Sequence, residues 1–206
     1  ITDATDSGVS HTDNLTNIHT PVITGNAEEG ATVVITDENG LTVGTSIASS
    51  TGTYSITTSS LIEGKHTLTI SATDRTGNTE STTQTIEVDN TEPTLVRTNM
   101  GGSNTPEVSF KGTTALDTQS IVIVLEDSKG HELQHLDAHL DGKGGYSVDS
   151  SSLPDGSYTA NFTITDKAGN THTELDRFDV DTITAKPTAD ITDATDSGVS
   201  HTDDLT

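Results

Sequence analysis

The chain states one passage twice. Residues 1–16 read ITDATDSGVSHTDNLT and residues 191–206 read ITDATDSGVSHTDDLT, with only Asn14 against Asp204 different. A near-verbatim return after 190 residues is the mark of a tandem array, in which each unit is a module stacked on its neighbour. It argues against one compact enzyme. The expectation is a fragment of a longer array that begins and ends at the same point of its repeat.

A second, weaker repetition lies inside the first. Tyr54 answers to Tyr146, Ser60-Leu61-Ile62-Glu63-Gly64 to Ser152-Leu153-Pro154-Asp155-Gly156, and Asp74-Arg75-Thr76-Gly77-Asn78 to Asp166-Lys167-Ala168-Gly169-Asn170, all at an offset of 92. Farther upstream the offset drifts to 90 at Asp37/Asp127 and 85 at Thr20-Pro21/Thr105-Pro106, so loops change length while strands persist. This predicts two homologous units, 1–91 and 92–182, with 183–206 opening a third.

Within each unit, short runs rich in β-branched residues alternate apolar with polar and are punctuated by turn signals. In HTLTISATD, Leu68, Ile70 and Ala72 point one way while Thr67, Thr69, Ser71 and Thr73 point the other, as in a strand with one dry face. No stretch reads as a helix. In the first unit the strands fall near 9–16, 20–25, 32–37, 41–48, 53–58, 66–73 and 79–88. Seven antiparallel strands carry the chain in at one end and out at the other, so such units can join head to tail. The predicted fold class is all-β: tandem immunoglobulin-like, seven-stranded antiparallel β-sandwiches joined end to end. Tyr158 is placed to bond back across the corner before the sixth strand, and His66 replaces it, less effectively, in the first unit.

Composition narrows the function. Nine Lys plus Arg stand against 32 Asp plus Glu, a net charge of −23, which excludes a nucleic-acid partner and leaves metal cations and basic surfaces open. No Lys or Arg precedes Lys65 and none follows Lys186. There are no cysteines, so neither disulfides nor thiolate metal sites hold the fold. No apolar run reaches the ~20 residues of a membrane span. Aromatic content is 3%, which argues against sugar-stacking sites.

Taken together, DATDSGVSHTDNLTNIHTPVITGNAEEGATV, GTYSI, SLIEGKHTLTISATDRTGN and IEVDNTEP resemble the bacterial immunoglobulin-like repeats of giant Gram-negative surface adhesins of the calcium-dependent, type I secreted (RTX) kind. The resemblance covers nearly all of 1–91 and much of 105–206. It implies an extender region that projects a binding domain located elsewhere in the parent protein. It further implies calcium ions (Ca2+) at domain junctions, an extracellular cell-surface location, and contact with a host or abiotic surface through another part of that protein. The partners expected of the chain itself are the neighbouring repeats, in a monomer without membrane insertion.

Strand direction then decides which acids meet. With the chain entering at one pole, the loops 26–31, 49–52 and 74–78 return there, so Asp3, Asp6, Glu28 and Asp74 are expected to gather with Asn78 at that pole. At the first internal junction the candidate ligands are Asp89, Glu92, Asp117 and Asp166; at the second they are Asp181, Asp190, Asp193 and Asp196. Calcium takes six to eight oxygens in a flexible shell. Asp74 and Asp166 also open DxxGN turns, in which an aspartate caps its own backbone. Because the second unit lacks a DSGVS leader, its first junction is expected to hold fewer ions than the one after Asp181. His131, His135 and His139 are read as exposed strand residues, with a helical zinc or nickel face as the alternative. No catalytic motif appears, so no enzyme activity is expected. The alternative function is a binding module whose sandwiches themselves hold a glycan, a protein or ice.

Overall fold

The computed structural model describes residues 1–2, 5–98 and 101–186, and every regular element among them is a strand. The first sandwich is built from β1 (Leu15–Thr16), β2 (Val22–Asn26), β3 (Thr32–Thr36), β4 (Thr42–Ile47), β5 (Thr53–Thr57), β6 (Gly64–Thr73) and β7 (Thr79–Val88). One sheet runs β1-β7-β6-β3-β4 and the other pairs β2 with β5. The second comprises β8 (Leu95–Arg97), β9 (Ser109–Thr114), β10 (Thr118–Asp127), β11 (Glu132–Asp137), β12 (His139–Leu140), β13 (Gly145–Asp149), β14 (Gly156–Asp166) and β15 (Thr171–Val180). Its sheets are β11-β10-β14-β15 and β12-β13-β9-β8. These are immunoglobulin-like sandwiches, all-β as the alternating runs predict.

Each sandwich has a separate core. The first is aliphatic, with Val33, Ile35, Leu68, Ile86 and Val88 almost fully buried. All three phenylalanines of the chain lie in the second. Phe110 meets Phe162 and Phe178 edge-on at 6.1 and 5.8 Å, the geometry the ring quadrupole favours. Arg97, on β8, lies 5.3 Å over the Phe162 ring and reaches Glu174 at 2.9 Å and Asp176 at 3.0 Å on β15. One side chain thus ties the two sheets together.

The corners before β6 and β14 are closed by the same device. Tyr158 Oη donates to the Pro154 carbonyl at 2.7 Å, and the His66 ring meets the Ile62 carbonyl at 2.8 Å. The histidine thus makes the corresponding contact in the first sandwich at a comparable distance.

Two sequence expectations fail at the start of the chain. The strand expected over 9–16 shrinks to Leu15–Thr16. Local acceptors capture the backbone first: the amides of Thr5 and Asp6 go to the Thr2 carbonyl, and that of Asn14 to Asp6 Oδ2 at 3.2 Å. Gly8 and Asn14 sit at φ of 85° and 59°. The leading segment also lies at the opposite pole from the one expected. β1 runs parallel to the end of β7, pairing Leu15 with Glu87 and Thr16 with Val88, and the Thr2 amide bonds to the Val22 carbonyl at 3.0 Å. The loops at 26–31, 49–52 and 74–78 do meet at the far pole, where Ala27 bonds Gly52 at 2.8 Å. Asp6 is therefore separated from Glu28 and Asp74, and it lies at the pole that adjoins the second sandwich.

Candidate metal centre at the seam between the sandwiches

Asp89 follows the last residue of β7, and its surroundings fix it closely. Its amide donates to the Thr16 carbonyl at 2.9 Å and its Oδ1 accepts the Thr91 amide at 3.0 Å. Glu63 holds the next two residues, accepting the Asn90 amide at 2.8 Å and the Thr91 hydroxyl at 3.1 Å. These bonds, the Asn90 amide foremost, pull the Glu63 carboxyl below its ordinary range. The connection leaves the first sandwich wired, not loose.

Two residues of the second sandwich face it. Asp166 ends β14 and opens the DKAGN turn; its Oδ1 accepts the Asn170 amide at 2.8 Å and its Oδ2 the Asn170 side-chain amide at 2.9 Å. The same Asn170 amide group donates across the seam to the Asp89 carbonyl at 2.7 Å. Asp117, in the turn between β9 and β10, takes the Lys167 amide on its carbonyl at 3.0 Å. One carboxylate oxygen from each of Asp89, Asp117 and Asp166 lies within 4.8 Å of the others. Asp166 is fully buried and the other two are half-buried.

Burial pushes the Asp89 carboxyl up, the Thr91 amide opposes this, and Asp166, Glu63 and Asp117 add to the rise. Among the described residues, none of the three acids forms an ion pair. Three hard oxygens drawn from both sides of a seam, without a cationic side chain, fit a divalent ion of the calcium type. Glu92, expected beside them, is held instead by His172 at 3.2 Å.

The remaining candidates are distributed as follows. Asp6 is buried; its Oδ2 accepts the Asn14 amide, while its Oδ1 has no donor among the described residues, and burial raises its carboxyl. Glu28 and Asp74 line one depression at the far pole of the first sandwich. Asp74 is taken up by its own turn: the Asn78 side chain at 2.7 Å and the Thr76 hydroxyl at 2.8 Å, with both their amides, hold it far below the ordinary carboxylate range. Asp181 repeats the wiring of Asp89, with Asp155 holding Thr182 as Glu63 holds Asn90 and Thr91. Asp3, Asp190, Asp193 and Asp196 lie outside the described residues. The three histidines at four-residue spacing fall on or beside β11 and β12, which removes the helical zinc or nickel face.

Sequence reasoning missed the part played by Ser7 and Gly8. Ser7 Oγ donates to the Ala168 carbonyl of the second sandwich at 2.6 Å and accepts the Asn17 amide at 2.8 Å. Gly8 rests on the Lys167 carbonyl, where a Cβ would collide. The leading segment of one sandwich therefore serves the junction at that sandwich's exit. A readable signal was the alanine of DKAGN standing where the first unit has the threonine of DRTGN.

The family model for the bacterial Ig-like domain matches residues 1–90 and 96–182. The chain belongs to the bacterial Ig-like domain family. A second model, bacterial Ig-like domain (group 3), matches residues 50–136. Neither describes a catalytic family. A search of curated proteins found no match. Among solved structures, the chain is similar to a tetra-tandem repeat from the extending region of a large adhesion protein, at 25% identity and TM-score 0.40, over 82% of this chain and 48% of that one. It is also similar to a Ca2+-stabilized adhesin of an Antarctic bacterium that binds ice, at 22% identity and TM-score 0.43, over 78% and 44% of the two chains. Fibronectin(III)-like modules of Clostridium thermocellum CbhA align at 12% identity and TM-score 0.43, over 77% and 84%. The chain spans about half the length of the two adhesin structures.

Proposed function

We propose that this bacterial Ig-like chain is a stretch of the extender region of a large Gram-negative surface adhesin of the calcium-dependent, type I secreted kind. Its units are 1–91 and 92–182, with 183–206 beginning a third. Outside the cell they form a monomeric rod whose partners are its own neighbouring repeats, and which carries a binding domain located elsewhere in the parent protein.

One observation carries the reading: Asp89 of one sandwich and Asp117 and Asp166 of the next bring carboxylate oxygens within 4.8 Å at the seam. Charges so close repel unless a cation joins them. A bound calcium ion would supply two positive charges at that point. Asp89 holds the site from the first sandwich, anchored through Thr16, Thr91 and Glu63. Asp166 holds it from the second, while Asn170 aligns the two across the seam. Closing the site therefore fixes the direction in which one sandwich leaves the next.

Calcium titration calorimetry and small-angle scattering test this on the intact chain. The expected result is calcium uptake in the extracellular millimolar range, a longer maximum dimension in calcium than in chelator, and a smaller difference in Asp117→Asn. No heat of binding together with equal dimensions in both buffers overturns the reading.

A further inference from the structure

The two DxxGN turns occupy the same place in the two sandwiches, yet they are built for different neighbours. In the first, Thr76 is exposed and its hydroxyl folds back on both oxygens of Asp74, at 2.8 and 3.0 Å. In the second, Ala168 is fully buried and its carbonyl is taken by Ser7 from the preceding sandwich. Gly169 packs so closely that a Cβ on it would lie 2.9 Å from the Gly8 amide nitrogen. Gly8, at φ 85°, is equally constrained, since a Cβ would strike the Lys167 carbonyl. Four small residues, Ser7-Gly8 on one side and Ala168-Gly169 on the other, are thus fitted to each other through backbone as well as side chain.

We propose that Ser7-Gly8 and the Ala168-Gly169 turn form a steric latch, distinct from the seam carboxylates, that selects which sandwich can follow which. A unit with the Asp-Ser-Gly leader accepts behind it a unit whose turn reads D-x-A-G-N. The Asp74–Asn78 turn is not a receiver: a threonine stands where the alanine must be buried, and its hydroxyl is already committed to Asp74. The second unit has no Asp-Ser-Gly leader, whereas residues 196–198 restore it. Within this chain the first junction is therefore of the latched kind, the second lacks the leader, and residues 191–206 restate the passage that latches the first.

Valine at the receiver is the informative change, because it fills the space of threonine without a hydroxyl that could cap Asp166. The chain has no cysteines, so two can be introduced for spin labels at the exposed positions Thr83 and Glu132 without interference. Distance distributions are recorded in saturating calcium for the otherwise unaltered chain, Ala168→Val and Gly8→Ala. Thermal melts confirm that both sandwiches stay folded, and the calcium content is measured alongside. The expected outcome is loss of the single narrow distance peak in both variants with calcium content unchanged. An unchanged peak in both overturns the latch. Loss of calcium together with the peak also overturns it, because the turn would then act only through the carboxylates. If the unaltered chain takes up no calcium, the metal reading fails, while the distance comparison still decides the latch.

Discussion

Asp117→Asn is the sharpest perturbation of the seam, because it removes a charge and almost nothing else. Among the described residues the Asp117 carboxylate accepts no hydrogen bond; only its carbonyl is used, by Lys167. Its oxygen lies within 4.8 Å of oxygens of Asp89 and Asp166. Two unit charges at that separation repel by about 3.5 kcal/mol at an effective dielectric of ~20, and by about 0.9 kcal/mol at ~80. Asp117 and Asp89 are half-buried and screened by solvent while Asp166 is buried, so the lower figure is a floor for each pair, and asparagine relieves two such pairs. The second sandwich should therefore gain about 2 kcal/mol in chelator, which for a domain of this size raises its melting temperature by roughly 8 °C or more. Calcium acts in the opposite sense. At ten times its dissociation constant it stabilises the parent by about 1.4 kcal/mol, and the variant, one negative ligand short, gains less. Scanning calorimetry of both chains, in chelator and in a calcium series, resolves the two sandwiches as separate transitions. The pattern expected is a variant that starts higher and responds more weakly. A variant that melts below the parent in chelator would show that Asp117 supports its turn and bears no unrelieved charge, and the electrostatic account of the seam would fall with it.

Three further outcomes are expected. Phe162→Ala removes the ring that meets Phe110 and underlies Arg97, and should cost the second sandwich about 3–5 kcal/mol by denaturant titration, leaving the first transition in place. Tyr158→Phe deletes the bond to the Pro154 carbonyl and should cost about 1 kcal/mol in the same transition. His172 is raised above its ordinary value first by Glu92 and then by Glu174, itself paired with Arg97. A raised histidine stabilises the fold fully below its unfolded value of ~6.5 and loses that contribution as pH rises through the folded value. Glu92→Gln should therefore lower the His172 titration midpoint seen by NMR and flatten stability between weakly acid and neutral pH.

The fold was legible because strand patterning is local. Leu68, Ile70 and Ala72 alternate with threonines whatever the rest of the chain does, and the offset of 92 exposed the second sandwich directly. Asp89, Asp117 and Asp166 could be named as one group because alternating strand direction fixes which loops share a pole. Reasoning failed where a short segment departs from that alternation. Residues 9–16 carry enough alternation to suggest a strand, but aspartate and serine side chains of residues 6–13 satisfy the backbone locally, and positive φ at Gly8 and Asn14 turns the chain away. The resulting β1 is parallel to β7, a reversal that counting antiparallel strands cannot produce. Asp6 was assigned to the wrong pole for that reason. Glu92 was lost to His172, a partner 80 residues away that no spacing rule singles out.

The parallel pairing has a mechanical consequence. In the first sandwich Leu15–Thr16 lies beside Glu87–Val88, and in the second Ser103 bridges Val180 in the same sense. Opposed pulls on the two ends of such a sandwich load these pairs along their length. Neighbouring segments that point the same way then slide along each other under load, so the bonds from Glu87 and Asp89 to Asn14 and Thr16, or from Ser103 to Asp179 and Asp181, must yield together instead of opening one by one like a zip. A fold clasped in shear at its first and last strands is suited to carrying tension.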